Sequence, residues 1–302
     1  MLAGSNEEIM MTKAMIVLMA GCALAACQRT EVGGEAAANA TNAAAPAATP
    51  AAAPLSLTRL DCGTITIKNF DKFFSDKPGL YAAEARDVTD SCYLIRHGDQ
   101  VMLWDTGLPA ELKGQKMDMG DMIAGQTTTI VEQLAQLGVK PEDVDIVGIS
   151  HGHSDHTGQA SKFPTANLLI GKADWDQSAG KDDPFGHWRN AKAGSITFVV
   201  GGETDVFGDG KVKALHLPGH TPDHLALLVN LASGPVLLSG DMYHATEARE
   251  KRGVPPFNTS REQTLASMDK FEAKAKETGA KVIIQHEPND IAKLPAFPKA
   301  AQ

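Results

Sequence analysis

Short apolar runs, separated by Gly, Pro, Asn and Asp, recur along the chain from Leu55 onward. Runs of about four to eight apolar or alternating residues bounded in this way are typical of β-strands. This pattern predicts strands at 62–68, 91–96, 101–105, 144–149, 167–170, 196–200, 212–217, 225–229, 235–239 and 281–285. Turn sequences at 97–100 and at Asp209-Gly210 predict that the strands flanking them form hairpins.

Two segments have the apolar spacing of a helix. One follows the three Thr residues at 127–129 and ends at Gly138, and the other spans 261–278 and ends at Gly279. Between 108 and 125 the chain has no clear period but carries Met117, Met119 and Met122. This segment is either a mobile lid or a loop packed on the core. We favour the lid, because adaptable apolar contacts suit an apolar substrate.

The N-terminal part of the chain lacks this pattern. Lys13 precedes an apolar run at 14–26 that is too short to span a bilayer and ends in small residues, which is typical of an export signal. Leu-Ala-Ala-Cys at 24–27 resembles the lipobox of bacterial lipoproteins, so we predict a signal peptide at 1–27 with a lipidated Cys27 rather than an ordinary cleaved signal. Residues 28–54 are rich in Ala and Pro, and we predict a disordered tether there.

These N-terminal features predict an exported protein that a lipid anchor holds in the periplasm or at the outer membrane. The folded domain is expected to span 55–302. Export into an oxidising compartment predicts a disulfide between Cys62 and Cys92, with two buried free thiols as the alternative. The net charge of −9 and the small number of aromatic residues argue against a nucleic-acid partner, which would need a basic face and stacking side chains.

The densest group of candidate metal ligands follows the predicted strand at 144–149. His151, His153, Asp155 and His156 lie within six positions. Side chains two positions apart point the same way in extended chain, so His151 and His153 can face one point. Imidazole and carboxylate are ordinary ligands of Zn²⁺ and similar ions. We interpret the group as a metal site rather than as a solvated loop rich in His.

Three other predicted strands deliver candidate ligands at their ends, namely His220, Asp241 and His286. Together with the first group they make seven donors, too many for one tetrahedral ion but suited to two ions that share a carboxylate. Asp105, after the strand at 101–105, could orient a ligand His or cap a turn. Of the other imidazoles, His224 either supports the site or only begins a strand, whereas His187 and His216 are expected to face solvent or pack.

The order of these motifs resembles the metallo-β-lactamase superfamily. The matching segments are Ser-His-Gly-His-Ser-Asp-His at 150–156, Pro-Gly-His-Thr at 218–221, Gly-Asp at 240–241 and Gln-His at 285–286. The resemblance implies an α+β fold, a four-layer αββα sandwich of two mixed sheets with helices outside. It also implies a first ion on His151, His153 and His220, a second ion on Asp155, His156 and His286, and a bridge between them at Asp241.

Within the superfamily the chain looks most like the N-acyl-homoserine lactonase branch. That resemblance implies a hydrolase with two Zn²⁺ ions, for which Fe, Mn or Co could substitute, and a bridging water that opens the ring of a small-molecule lactone or ester, with Asp155 among the catalytic residues. In that branch a Tyr lies three positions after the bridging Asp. Here Tyr243 lies two positions after it and His244 three, so that Tyr243 reaches in by a local shift, His244 replaces it as donor, or the role is absent.

Two other functions stay open. The same site would suit another hydrolase, such as an esterase, a phosphotriesterase, a thioesterase or a β-lactamase, although the β-lactamases of the superfamily lack the bridging Asp. A non-catalytic metal-binding lipoprotein is also compatible with the motifs. It is disfavoured because a site that had lost its chemistry would not need to keep all seven donors.

Overall fold

The computed structural model of the chain describes residues 54–190 and 194–302. The predicted signal peptide, Cys27 and nearly all of the tether lie outside the described residues. The strands are β1 (Leu55–Ile67), β2 (Arg86–His97), β3 (Gln100–Trp104), β4 (Lys116–Asp118), β5 (Met122–Gly125), β6 (Ile146–Gly148), β7 (Asn167–Gly171), β8 (Ile196–Val199), β9 (Glu203–Asp205), β10 (Val212–His216), β11 (Leu225–Leu231), β12 (Gly234–Leu238) and β13 (Lys281–Ile283).

Helices lie between these strands. They are α1 (Phe70–Phe74), α2 (Ile130–Gln136), α3 (Ser154–Thr157), α4 (Lys172–Gln177), α5 (Gly186–Arg189), α6 (Thr246–Lys251), α7 (Arg261–Thr278) and α8 (Pro288–Ile291). Single turns of 3-10 helix occur at Ala110–Leu112, Pro141–Asp143, Ala160–Lys162 and Gly240–Met242. Among the residues at 54–190 and 194–302, no helix is both long and apolar enough to cross a bilayer.

The strands form two mixed sheets. The first has the order β4-β5-β1-β2-β3-β6-β7-β8, in which the pairs from β3 to β8 are parallel and the others antiparallel. The second has the order β13-β12-β11-β10-β9, in which only the β12–β13 pair is parallel. The hairpin predicted at 97–100 is confirmed as the β2–β3 turn. The second predicted hairpin joins β9 to β10 through a longer loop than its Asp-Gly turn suggested.

Apolar side chains fill three layers around these sheets. Successive residues of a strand face opposite sides of its sheet, and in β2 Tyr93 packs between the two sheets while Leu94 packs on the α2 side. The second sheet buries Leu228 and Leu237 against Met268 and Phe271 of α7. The layers therefore follow the order helix, sheet, sheet, helix, which confirms the predicted αββα sandwich.

The two predicted helices are confirmed, and their ends show why they form. The Thr129 side chain accepts a hydrogen bond from the backbone of Glu132, whose carboxylate accepts one from the Thr129 backbone, so that a capping box starts α2. Ser260 caps the start of α7, which spans the predicted residues 261–278. Gly279 ends it in the left-handed conformation, at φ 65°.

The Met-bearing segment is a hairpin rather than a separate lid. Its strands β4 and β5 pair with each other, and β5 pairs with β1, so that the hairpin extends the first sheet. Met117 and Met119 are 49% and 42% exposed, whereas Met122 is half-buried. A β-hairpin was missed because the alternation in β4 and β5 runs over too few residues to outweigh the intervening Gly and Asp.

The predicted disulfide between Cys62 and Cys92 is confirmed, and it joins β1 to β2. Gly107 packs directly on it with a φ of 60°. A Cβ added at Gly107 would lie 2.5 Å from Cys62 Cβ and 2.8 Å from its sulfur, so a side chain there would clash. The disulfide thus supports the loop that leaves β3 through Asp105.

Candidate metal centre

The candidate ligands lie at strand ends, where the two sheets are tied together by backbone hydrogen bonds. The Leu225 amide of the second sheet donates to the Ser150 carbonyl, which follows β6 in the first sheet, at 2.8 Å. The Thr89 amide in β2 donates to the His286 carbonyl beyond β13 at 3.2 Å. These bonds bring segments far apart in sequence to one point.

His151, His153 and His220 form the first group of donors. His153 Nδ1 lies 2.9 Å from His151 Nε2 and 3.1 Å from His220 Nε2, and the two Nε2 atoms are 3.2 Å apart. Zinc bound by imidazole at 2.0–2.1 Å in a tetrahedron holds its ligand nitrogens about 3.3 Å apart. The triangle of nitrogens therefore has the size that one ion requires.

Asp155, His156 and His286 form the second group. Asp155 Oδ2 lies 3.8 Å from the Nε2 atoms of both His156 and His286. The donor atoms of this group all lie within 4.8 Å of one another. Both imidazoles are buried, whereas Asp155 is partly exposed at the edge of the site.

Asp241 lies between the two groups and presents one oxygen to each. Its Oδ2 is 3.4 Å from His220 Nε2 and 3.7 Å from His151 Nε2. Its Oδ1 is 3.0 Å from His286 Nε2 and 3.3 Å from His156 Nε2. All seven sequence-predicted donors are thus brought together around one shared carboxylate.

Two buried atoms of this centre show that its donor set fits cations. His156 Nε2 and Asp241 Oδ1 lie close to other donors of the centre, but within the described part of the chain neither atom makes a hydrogen bond of acceptable geometry. An unsatisfied buried polar atom costs about 1–3 kcal/mol, so such atoms need an explanation in a stable protein. Imidazoles and carboxylates converging in this way are the ligands of zinc and of similar divalent ions.

Burial and neighbouring charges shift the pKa values of several of the donors. Burial lowers the pKa of His151 and of His220 well below the ordinary value. Burial also acts to lower the pKa of His286, but the carboxylates of Asp241 and Asp155 outweigh it and raise that pKa to about 9. Burial would raise the pKa of Asp241, yet the surrounding imidazoles hold it well below its usual range. Asp241 is therefore a carboxylate at neutral pH.

The outward nitrogens of three imidazoles have fixed partners. His220 Nδ1 donates to Asn258 Oδ1 at 2.9 Å, and His286 Nδ1 donates to the Thr89 carbonyl at 2.7 Å. His156 Nδ1 bonds Asp105 Oδ2 at 3.0 Å. Each ring therefore keeps Nε2 for the site.

Asp105 takes the first of the two roles left open by the sequence, because it orients His156. Its Oδ1 also accepts a hydrogen bond at 2.7 Å from the amide of Ser150, 45 residues along the chain, which links two loops rather than capping a turn. The role of Asp105 was visible as a polar residue at a strand end. The partners Asn258 and Thr89 were not, because they lie 38 and 197 residues from the imidazoles they bond.

His224 supports the shared carboxylate from below. Its Nδ1 donates to the Leu217 carbonyl at 3.2 Å, and its Nε2 accepts from the Asp241 amide at 2.9 Å. Burial lowers the pKa of His224 to about 3, so the ring stays neutral and can accept this bond. His216 instead bonds Asp223, and His187 is exposed on α5, so neither joins the site.

Tyr243 does not face the centre, so the prediction of a catalytic role for it is wrong. Its hydroxyl donates to Glu272 Oε1 at 3.0 Å, and its ring packs on Phe271. His244 does face the centre, with Nε2 3.2 Å from Asp241 Oδ2. The two side chains diverge because Tyr243 follows the 3-10 turn in extended backbone, at φ −142° and ψ 147°, where successive side chains point to opposite sides.

A cavity of about 310 Å³ opens beside the centre. His244, Asp155 and Asp241 are among the polar residues that line it. The His244 ring stacks on Phe74 with the ring centroids 4.3 Å apart, so the donors adjoin an apolar wall. That wall consists mainly of Ile65, Ile67, Phe73, Phe74, Met122 and Phe257.

Comparison with known families decides the family of this chain. A family model described as the Metallo-beta-lactamase superfamily matches residues 86–286. The chain belongs to this superfamily. The matched range contains all seven donors and the disulfide half-cystine Cys92, whereas β1 and Cys62 precede it.

Characterised members of the superfamily are similar in sequence. The N-acyl homoserine lactonase AttM of Azorhizobium caulinodans is 33% identical over 56% of this chain and 67% of its own length. The AttM protein of Rhizobium johnstonii is 30% identical over 65% of this chain and 81% of its own length. An N-acyl homoserine lactonase of a Bacillus species is 28% identical over 64% and 78%.

Solved structures share the fold of this chain. A variant of the B. thuringiensis protein AiiA with N-decanoyl-L-homoserine at its active site matches with a TM-score of 0.69 and 21% identity over 82% of this chain and 99% of its own. AidC, described as a dizinc quorum-quenching lactonase, matches with a TM-score of 0.61 and 17% identity over 82% and 90%. At these identities the likeness establishes the fold.

Proposed function

We propose that this chain is a hydrolase that opens the lactone ring of N-acyl homoserine lactones at a pair of zinc ions. The observation that carries the proposal is the position of Asp241, which offers one oxygen to each of two donor groups and lines an apolar cavity. That arrangement combines a two-ion centre with a binding site for a hydrocarbon chain.

In this proposal His151, His153 and His220 hold the first ion, and Asp155, His156 and His286 hold the second. Asp241 would lie between them. Two bound cations would supply Lewis acidity toward the lactone carbonyl and would lower the pKa of a water molecule. The protein contributes fixed ligand positions, since the outward bonds of His156, His220 and His286 hold the rings in place before any ion binds.

The apolar wall gives the substrate its orientation. An acyl chain lying against Phe73, Phe74 and Phe257 would leave the lactone ring at the donors, because Asp241 and His244 line the same cavity. His244 can donate a hydrogen bond from Nε2 to a substrate oxygen there. We assign to His244 the assisting role for which Tyr243 is wrongly placed.

The similar proteins support the substrate class. The relatives named above by sequence are N-acyl homoserine lactonases, and two of them are at least 30% identical to this chain. Zinc is supported by the donor chemistry and by the description of AidC as a dizinc lactonase. We also propose that the chain is exported and anchored through Cys27, on the strength of its lipobox-like sequence.

The experiment that tests the function is turnover of a substrate panel by zinc-loaded protein. The panel contains a short-chain and a long-chain acyl homoserine lactone, a simple ester, a phosphotriester, a thioester and a β-lactam. We expect the lactones to be opened with the highest kcat/KM. A higher kcat/KM for any other member would assign this centre to a different hydrolase reaction, and no turnover of any member would reject an enzyme of this class.

A further inference from the structure

The three imidazoles of the first donor group come from two separate loops. His151 and His153 lie on the loop after β6, and His220 lies on the loop after β10. A side chain from a third element, Asp174 of α4, lies between these loops and is only 2% exposed. The sequence gives no sign of a role for Asp174, because α4 carries no motif.

The Asp174 carboxylate binds both loops at once. Its Oδ1 accepts a hydrogen bond at 2.8 Å from the amide of Gly152, the residue between His151 and His153. Its Oδ2 accepts at 3.0 Å from the hydroxyl of Thr221, the residue after His220. The same oxygen accepts at 2.9 Å from the amide of Asp223.

The helix that carries Asp174 is itself fixed to the second of these loops. The Ala173 amide donates to Asp223 Oδ2 at 2.6 Å. Gly171, which starts α4, lies so close that a Cβ there would be 2.3 Å from the Asp223 carbonyl oxygen. The position of Asp174 is therefore fixed by the packing of α4, and its three hydrogen bonds hold both loops against this helix.

The burial of this carboxylate needs a reason. Within the described residues no Lys or Arg side chain pairs with Asp174, since the nearby Lys172 pairs with Asp176. Burial raises the pKa of Asp174, and its three hydrogen bonds only partly oppose this. Burying a charge without a cation is costly. Charge-assisted bonds to two ligand loops are the benefit that the structure displays.

We propose that Asp174 is a positioning residue that holds His151, His153 and His220 at the separation that one ion requires. The inference rests on the metal centre of the proposed function and adds a residue that touches neither ligands nor substrate. It also predicts that a change at Asp174 affects the binding of only one of the two ions. His156 and His286 of the second group are held instead by Asp105 and Thr89, so that group does not depend on Asp174.

The test compares Asp174→Asn with Asp176→Asn. Asp176 lies on the same helix, is largely exposed, and its change removes the same charge. Asn at 174 replaces one acceptor oxygen by an NH₂ donor, which leaves a loop amide unsatisfied. Metal-free protein is titrated with Zn²⁺ against a competing chelator. We expect Asp174→Asn to lower the affinity for one of the two ions about 10- to 100-fold while the other ion binds as in wild type. Asp176→Asn should leave both affinities unchanged.

Two results would overturn the inference. One is wild-type affinity for both ions in Asp174→Asn. The other is equal weakening of both ions together with a lower unfolding midpoint of the metal-free protein, which is what a merely structural role would produce. If Asp174→Asn does not fold, Thr221→Val decides, because it removes only one of the three bonds. Thr221→Val should lower the affinity for one ion only, by a smaller factor than we expect for Asp174→Asn. Unchanged binding of both ions would reject the proposal.

These outcomes are separate from the proposed reaction, because no lactone is used. Wild-type protein that binds two ions but opens no lactone would reject the lactonase activity and leave the role of Asp174 standing. Conversely, an active enzyme whose two ions respond identically to Asp174→Asn would retain its function and reject the inference.

Discussion

Tyr243 and His244 point to opposite sides of the chain because the backbone at Tyr243 is extended, and it is His244 that lies beside Asp241. The Tyr243 side chain is directed toward α7, where Glu272 accepts its hydrogen bond while also pairing with Arg249. At this position the chain therefore offers an imidazole, rather than a phenol, to a bound substrate.

Exchanging the two side chains for Phe should separate these roles. His244→Phe keeps a ring stacked on Phe74 but removes the hydrogen-bond donor, and we expect kcat for lactone opening to fall by about 100-fold. Tyr243→Phe should leave kcat unchanged and lower the free energy of unfolding by about 1 kcal/mol through loss of the bond to Glu272. Steady-state kinetics and urea unfolding measure the two effects. Equal loss of kcat in both variants would contradict the assignment.

The sequence predicted the seven donors of the site, but of the side chains that support them it pointed only to Asp105 and His224. The seven donors lie in a dense motif and at strand ends, where residue type and position both point to metal binding. The groups that orient them, such as Asn258 and the Thr89 carbonyl, are ordinary residues or backbone. Only the tertiary fold brings them to the rings, so local sequence carries no sign of their role.

Among the elements, the β4–β5 hairpin places one of its Met residues at the substrate cavity. Met122 contributes to the apolar wall, whereas Met117 lies on the exposed outer strand. The sequence indicated adaptable apolar contacts with a substrate in this segment. In the structure, Met122 is the side chain of the segment that lines the cavity. Antiparallel pairing with β1 fixes the position of Met122, which a free lid would not do.

Truncation of this side chain should affect substrates according to chain length. Met122→Ala removes apolar surface that a long acyl chain would contact, and we expect KM for a long-chain lactone to rise about tenfold with little change for a short-chain one. Met117→Ala is the matched control and should change neither KM. Equal increases in KM for both substrates after Met122→Ala would show that the acyl chain does not lie in this cavity.

The disulfide links the first two strands of the fold beneath the loop that holds Asp105. It closes a segment with a sequence separation of 30 residues, and such a cross-link restricts the unfolded chain. We expect the double change Cys62→Ala and Cys92→Ala to lower the free energy of unfolding by about 2–5 kcal/mol. Urea unfolding measures the difference. A wild-type midpoint in the double variant would contradict a stabilising role.

At the scale of the whole molecule, the sequence predicted the layer order better than the details of pairing. The αββα sandwich followed from the resemblance, and the helix at 261–278 was predicted to the residue because Ser260 and Gly279 mark its ends. The hairpin at Lys116–Asp118 and Met122–Gly125 was missed, since its pairing depends on the neighbouring β1. Pairing across a sheet is a tertiary property that a short segment does not encode.

The predicted anchor concerns the part of the chain that precedes the described residues. If Cys27 is lipidated, wild-type protein made in a bacterial host should incorporate a labelled fatty acid and sediment with the membranes. Cys27→Ser should abolish the label and shift the protein to the soluble fraction, with lactone turnover per molecule unchanged. Wild-type protein without label would reject the lipoprotein proposal.

The central claim is that Asp241 joins two ions into one hydrolytic centre, and zinc titration of metal-free protein tests it most directly. Activity on an acyl homoserine lactone should return as zinc is added and reach its maximum at about two equivalents, because both donor groups must be filled. Asp241→Asn should bind less zinc and stay inactive. Full turnover by metal-free protein, or full activity of Asp241→Asn, would contradict the claim.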